Sequence, residues 1–478
     1  MVNLKNPAPF LIGREWRQSS IRQPVVNPYT GESIVTVCQA TDTDLEDAIS
    51  LSTTAASQLA KLASHQRAQG LLHVASALIQ RQDELAQTIS LESGKPLTDA
   101  RREVQRAINT FTIASEEAKR LPGDVIPMDT SAGMDHYQAI VQRVPIGPVL
   151  AITPFNFPLN LVAHKVAPCL AVGNPVVLKP APQTPMTALL LGEILLGADL
   201  PPGTISIVPC DNSQAEEMVK DPRFKAVSFT GSVNVGWMIK AKAGKKRVVL
   251  ELGGNAAVIV ERDADLEFAS HRCATGGFSY SGQTCISVQR VFIQDAVYDR
   301  FVDLLLNRVR GLSCGDPMDE NTVVGPLINK AAATRVEAWI HEALSQGATL
   351  LTGGTRQGTI VAPTVLAKVR SDMNVSCQEI FGPVITLSRY HDFDEALDMV
   401  NDSAFGLQAG VFTKDINKIF QTYRELEVGT VLANEVPTFR ADHMPYGGVK
   451  DSGVGREGVR YAMEDLTEPK LLVLHLPR

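Results

Sequence analysis

The spacing of apolar positions along this chain changes character twice. In "TDTDLEDAISLSTTAASQLAKL" they recur every three to four residues through Leu62, behind a Thr-x-x-Glu start at Thr43 to Glu46. This predicts an amphipathic helix opened by a capping box. A second helical pattern covers about 67–91 and a third about 99–119, so the first third of the chain is expected to be mostly helical. At "YQAIVQRVPIG", residues 137–147, β-type residues take over and end in a turn.

Short apolar runs then alternate with helix-length segments. "PVLAITP", "VVLKP", "TISIVP", "AVSFTG" and "RVVLELGG" are expected to be strands. That rhythm predicts an α/β fold, a parallel sheet covered on both faces, with ligand contacts just after the strands. Those positions are 153–157, 179–182, 230–232 and 251–253. From about Gly253 the alternation restarts with "NAAVIV", "QRVFIQ", "VVGPLI", "VITLSRY" and "AGVFTK", which reads as a second α/β domain. The tail "TEPKLLVLHLPR" reads as an isolated strand, and pairing with a neighbouring subunit would cover its bare edges.

Composition narrows this picture. A chain of 478 residues is too long for one core, so at least two domains are expected. Hydrophobic residues at 44% and charged residues at 20% fit large cores under a wet surface. No apolar run is long enough to span a bilayer, and "MVNLKNPAPF" lacks the pattern of a signal peptide, which points to the cytoplasm and away from a membrane. A net charge of −7 gives no general attraction to nucleic acid, and the basic "KAKAGKKR" suits a helix end capped by Gly244. Seven cysteines without a C-x-x-C pair indicate neither a disulfide framework nor a metal site. "GVGREG" matches a dinucleotide pattern, but only 20 residues follow it, so a turn into a helix is the better reading. "SFTGS" is a better anion site: strand ends, helix begins, and Gly231 lets a pyrophosphate near the backbone.

"GQTCISV" leaves two readings of Cys285, a buried filler or a nucleophilic thiolate, whereas the other six cysteines read as inert. Taken singly, Asn156 in "ITPFNFPLN" is a turn former, Glu251 in "LELGGN" a capping or salt-bridging carboxylate, and Glu379 in "QEIFGP" a helix-start charge. Together with "VVLKPAPQTP", "FTGS", "GQTC" and "MPYGGVKDSGVGREG", in this order, these segments closely resemble the aldehyde dehydrogenase superfamily over nearly the whole chain.

The resemblance implies an aldehyde dehydrogenase-like fold with two parallel α/β domains and a β oligomerisation element. The nucleotide-binding domain would comprise 1–136 and 147–252, the catalytic domain 253–444, and the oligomerisation strands 137–146 and 465–478, in a homodimer or homotetramer. It also implies that Cys285 attacks an aldehyde, that Asn156 and the Cys285 N–H hold the oxyanion, and that Glu251 activates the water that hydrolyses the thioester. NAD or NADP would be held by Lys179 at the adenosine ribose, Gly231 and Ser232 at the pyrophosphate, and Glu379 and Phe381 at the nicotinamide end, with Thr153, Phe155 and Pro182 nearby. Pro182 stands where many NAD-preferring members carry a glutamate, so NADP should be tolerated.

"QTCISVQRVFI" and the C-terminal "EVPTFRADHMPYGGVKDSGVGREGVRYAMEDL" look most like the lactaldehyde dehydrogenase-like branch, with succinate semialdehyde dehydrogenases the near alternative. Its substrates would be small hydroxylated, phosphorylated or semialdehyde compounds, oxidised to the free acid. Arg102, Arg290 and Arg440 are candidates for an anionic substrate end, although for each a surface or structural salt-bridge role is the stronger reading. Two other classes stay open: a cofactor-independent cysteine hydrolase, although no signature marks a base among the nine histidines, and a non-catalytic protein on the same scaffold.

Overall fold

The structure is a computed structural model and describes residues 5–476. The ends of two expected segments, 1–4 and 477–478, lie outside the described residues. The five expected strands Val149–Ile152, Val176–Lys179, Ile205–Ile207, Ala226–Thr230 and Arg247–Glu251 form the parallel centre of an eight-stranded sheet. Val149–Ile152 sits in the middle, with Val176–Lys179 on one side and Ala226–Thr230 on the other. The strand order therefore reverses beside it, and such a switch point opens a crevice at the strands' C-terminal ends. The helix Asn160–Val172, wholly buried, follows directly from this central strand.

The helical start departs from expectation in detail. The capping box is Thr41 with Asp44, not Thr43 with Glu46: Thr41 has extended backbone and accepts from Asp44 N, and the Asp44 carboxylate accepts from Thr41 N at 2.9 Å. The 67–91 pattern is two helices, Ser64–Gln80 and Gln82–Ser93, broken at Arg81. Both bury apolar faces in one core, so the spacing carries across the break. The third helix is Leu97–Glu117. Four strands precede the helices. Phe10–Ile12 and Glu15–Arg17 extend the large sheet antiparallel at the Ile205–Ile207 edge, and Arg22–Val26 pairs with Ser33–Cys38.

A second, seven-stranded sheet runs in the order Thr349–Thr352, Thr364–Ala367, Val384–Tyr390, Arg290–Gln294, Ala257–Val260, Gln408–Phe412, Thr430–Ala433. All neighbours are parallel except the first pair. "VVGPLI" is not one of its strands. Only Val324 makes an isolated bridge, to Cys314, and the segment is apolar because Val324 and Leu327 are buried. "GVGREG" forms the edge strand Gly453–Val454, antiparallel to the Glu251 strand, and a turn into the helix Val459–Asp465.

The tail is not isolated. Thr467–His475 pairs antiparallel with Tyr137–Pro145 over all nine residues, and Gly123–Ile126 lies on the other side. Leu471, Leu472 and Val473 remain exposed on this small sheet. Among the described residues no helix is long and apolar enough to cross a membrane.

Candidate active site

A cavity of about 610 Å³ is lined by residues from the ends of both large sheets. Phe155 and Asn156 come from the loop after the central strand, Gly231 and Ser232 from the end of Ala226–Thr230, and Glu251 from the end of its own strand. Cys285, Glu379 and Phe381 come from loops of the second sheet. Eight of the eleven expected site residues thus share one space. Thr153, Lys179 and Pro182 lie outside its lining, although Thr153 N donates to Lys179 O at 3.2 Å, joining the two strand ends.

Local backbone explains how Cys285 reaches the cavity. The helix Leu266–Phe278 ends in a tight turn in which Tyr280, Ser281 and Gly282 all take positive φ, of 48°, 55° and 69°. Side chains on the first two make this costly, and the turn persists because all three are buried. A Cβ on Gly282 would lie 2.2 Å from Gly382 O, so this turn packs backbone to backbone against the Glu379 loop. The glycines of "LELGGN" do the same for the Glu251 strand. A Cβ on Gly253 would lie 2.6 Å from a Glu379 carboxylate oxygen, and one on Gly254 2.5 Å from Cys285 O. Two missing side chains therefore let Cys285 and the carboxylates converge.

The polar groups differ in how they are satisfied. Asn156 Nδ2 donates to Gln283 O at 3.0 Å, tying its loop to that of Cys285, and its second amide proton is left for another acceptor. Glu379 accepts from Gly254 N at 3.0 Å, and burial pushes its carboxyl up to about 7. Both Glu251 oxygens are buried without a partner. Burial, reinforced by the negative charge of Glu457, raises its carboxyl well above 4.5. Burial likewise pushes the Cys285 thiol up to about 12, against the hydrogen bond it shares with Tyr446. Phe381 holds a positive φ of 49° and meets Phe155 edge-on at 5.8 Å.

The groups expected to hold a dinucleotide have the unmet valences that such a ligand requires. Lys179 is buried with no hydrogen bond to its amine among the described residues, and burial lowers its pKa. Thr230 Oγ1 is buried without a partner, and Ser232 opens the helix Val233–Lys242 without capping it through its side chain. A buried cation and free N–H groups at a helix start fit an anionic ligand.

Each of the three candidate arginines makes a structural contact. Arg290 is not at the cavity: it is buried and donates to the carbonyls of Asn255, Met399 and Val400, so it is a strut. Arg440 lines the cavity, but Glu457 engages its charge at 3.0 Å. Arg102 lines the cavity while largely exposed and paired with Asp99. Cys314 is exposed and Cys377 half-buried, so burial does not make these two inert. Residues missed by sequence reading are Tyr446, Arg106, Arg272 and the buried ion pair of Lys95 with Glu103. The i, i+4 spacing of Arg102 and Arg106 was a legible signal for one helix face.

Residues 16–472 match the aldehyde dehydrogenase family. The chain is 42% identical over 466 residues to a 3-sulfolactaldehyde dehydrogenase of Priestia aryabhattai, covering 97% of each chain. Its structure is similar to aldehyde dehydrogenase 21 of Physcomitrella patens in complex with the product succinate, with a TM-score of 0.97, 46% identity and 99% of each chain covered. It is also similar to an NADP-dependent glyceraldehyde-3-phosphate dehydrogenase of Bacillus halodurans complexed with NADP, with a TM-score of 0.96, 36% identity, and coverage of 99% of this chain and 100% of the other. The chain belongs to the aldehyde dehydrogenase family and is an NAD(P)-dependent oxidoreductase.

Proposed function

We propose that the protein oxidises a small aldehyde with an anionic far end to its free carboxylic acid, with Cys285 as nucleophile. The observation that carries this reading is the convergence of Cys285, Asn156 and an unpartnered Glu251 on one cavity. Cys285 Sγ adds to the aldehyde carbon, and the free Asn156 amide proton with the Cys285 N–H stabilises the resulting oxyanion. Bound nicotinamide supplies the hydride acceptor, with Lys179, Gly231, Ser232, Glu379 and Phe381 holding the dinucleotide, and Thr153, Phe155 and Pro182 shaping its surroundings. Glu251 takes the proton of the water that attacks the acyl carbon. Its two oxygens, buried without a partner, leave it free to accept that proton. Pro182 places no carboxylate against a 2′-phosphate, so NADP should turn over at least as well as NAD.

The anionic end is supported by Arg106 and Arg272, which line the cavity from two helices while each is also paired with a carboxylate, Asp442 at 2.8 Å and Glu435 at 2.7 Å. The three similar proteins bear names or ligands with a sulfonate, a carboxylate or a phosphate. Nicotinamide reduction should be fastest with succinate semialdehyde or glyceraldehyde 3-phosphate, and slow with propanal. Cys285→Ala should lower it on the order of 10⁴-fold or more. Equal rates for neutral and anionic aldehydes would sink the substrate assignment, and an active Cys285→Ala the mechanism.

We also read the described strands at 123–126, 137–145 and 467–475 as the contact between copies of this chain, because Leu471, Leu472 and Val473 leave an apolar patch on them. Sedimentation equilibrium should give a dimer or tetramer, and Leu472→Asp should shift it toward monomer; a monomeric parent protein excludes this role.

A further inference from the structure

One contact in the cavity has no part in the chemistry proposed above. Tyr446 Oη lies 2.9 Å from Cys285 Sγ, and both residues belong to a small apolar cluster with Ile286 and Leu407. An anionic sulfur in apolar surroundings is unfavourable unless a donor is aimed at it. Tyr446 is such a donor, and it is fixed from several directions. Its N–H donates to Glu457 O at 3.0 Å, and its carbonyl accepts from Glu457 N at 2.7 Å. The Arg440 guanidinium lies 3.6 Å over its ring, held there by Glu457. A cation over the ring draws electron density from the phenol and strengthens the hydroxyl as a donor.

The charged groups around the sulfur do not replace this contact. Glu251 and Glu379, from two other segments, both oppose a negative sulfur, and Arg440 favours it from beyond the tyrosine ring. The Tyr446 hydroxyl itself is buried and held well above its ordinary pKa, first by burial and then by the neighbouring sulfur, so it keeps its proton.

We infer that the Tyr446 hydroxyl donates to the Cys285 thiolate and sets the pH range over which that sulfur is reactive. This rests on the reading of Cys285 as nucleophile. No proton changes hands between the two residues: the thiol proton leaves to the cavity solvent, and the phenol keeps its own.

The test is Tyr446→Phe, which keeps the ring and its Arg440 contact and removes one oxygen. Iodoacetamide alkylation of Cys285, followed by peptide mass spectrometry across pH without substrate, should show the midpoint rising by about one unit or more. At neutral pH kcat/KM should fall about tenfold, because one unit is a factor of ten in thiolate, and should recover as pH rises. An unmoved midpoint, or an equal loss of kcat/KM at every pH, overturns the inference. The two readings separate cleanly. An inactive Cys285→Ala with an unmoved Tyr446→Phe midpoint sinks only the tyrosine's role, and an active Cys285→Ala with a moved midpoint sinks only the nucleophile. Should Tyr446→Phe not fold, the parent chain labelled with 3-fluorotyrosine carries a more acidic phenol at 446, and no other tyrosine bonds to Cys285. The midpoint must then fall, and failure to do so overturns the inference.

Discussion

Glu251 and Glu457 occupy adjoining regions at equal depth, each only 2% exposed, yet they are held in opposite states. Glu457, at the turn before the helix Val459–Asp465, lies 3.0 Å from both Lys165 Nζ and Arg440 Nη2. Those cations outweigh its burial and hold its carboxyl down at about 2. Glu251 has no partner on either oxygen and is driven the other way. Burial alone therefore does not decide the state of a carboxylate; the distribution of cations does. Two are spent on Glu457, whose fixed charge then presses on Glu251 and helps to raise it. One carboxylate is a structural anion and the other is left without a partner.

The sharpest way to break this contrast is Glu251→Gln. It keeps shape and removes the proposed base, so kcat should fall by about 10²–10⁴-fold while alkylation of Cys285 persists. Full turnover would leave no functional difference between the two sites. Next, Glu457→Gln strips the counter-charge from two buried cations and should destabilise the protein by about 3–5 kcal/mol, read from urea unfolding. Glu251→Gln should cost almost nothing in the same assay, and equal losses would contradict the contrast.

The smallest effect is the pH dependence of stability, at most about 1.4 kcal/mol per pH unit for each group. Glu457 has a folded pKa below the ordinary 4.5, so its contribution is present above pH 4.5 and is lost as pH falls toward about 2. Glu251 is raised, so the folded state loses stability as pH climbs above 4.5 toward its elevated pKa. Glu457→Gln should flatten the acid limb and Glu251→Gln the limb above it. Urea midpoints measured across pH distinguish these outcomes.

The parallel strands of the first sheet were legible because each carries a short apolar run, buried throughout except at Arg247 and Val248, and their ends locate Asn156, Gly231 and Glu251 without further help. The strand Phe10–Ile12 was not, since three residues among Pro and Gly carry no periodicity and its place is given by Ile205–Ile207, almost 200 residues away. "VVGPLI" misled for the opposite reason, being buried without a ladder. Cys285 was visible as a candidate through its family-like segment. Its contact with Tyr446, across 161 residues, belongs to tertiary structure alone. The same holds for Glu457, whose partners Lys165 and Arg440 come from a distant helix and a nearby loop.

The ladder between Tyr137–Pro145 and Thr467–His475 has a consequence in time. During synthesis the earlier strand leaves the ribosome roughly 320 residues before its partner exists, an interval of about 15–65 s at 5–20 residues per second. The first core waits as well, because Val459, Met463 and Leu466 belong to it. A nascent chain of this protein thus carries a strand with one open edge, its other edge already met by Gly123–Ile126, and an incomplete core for most of its synthesis.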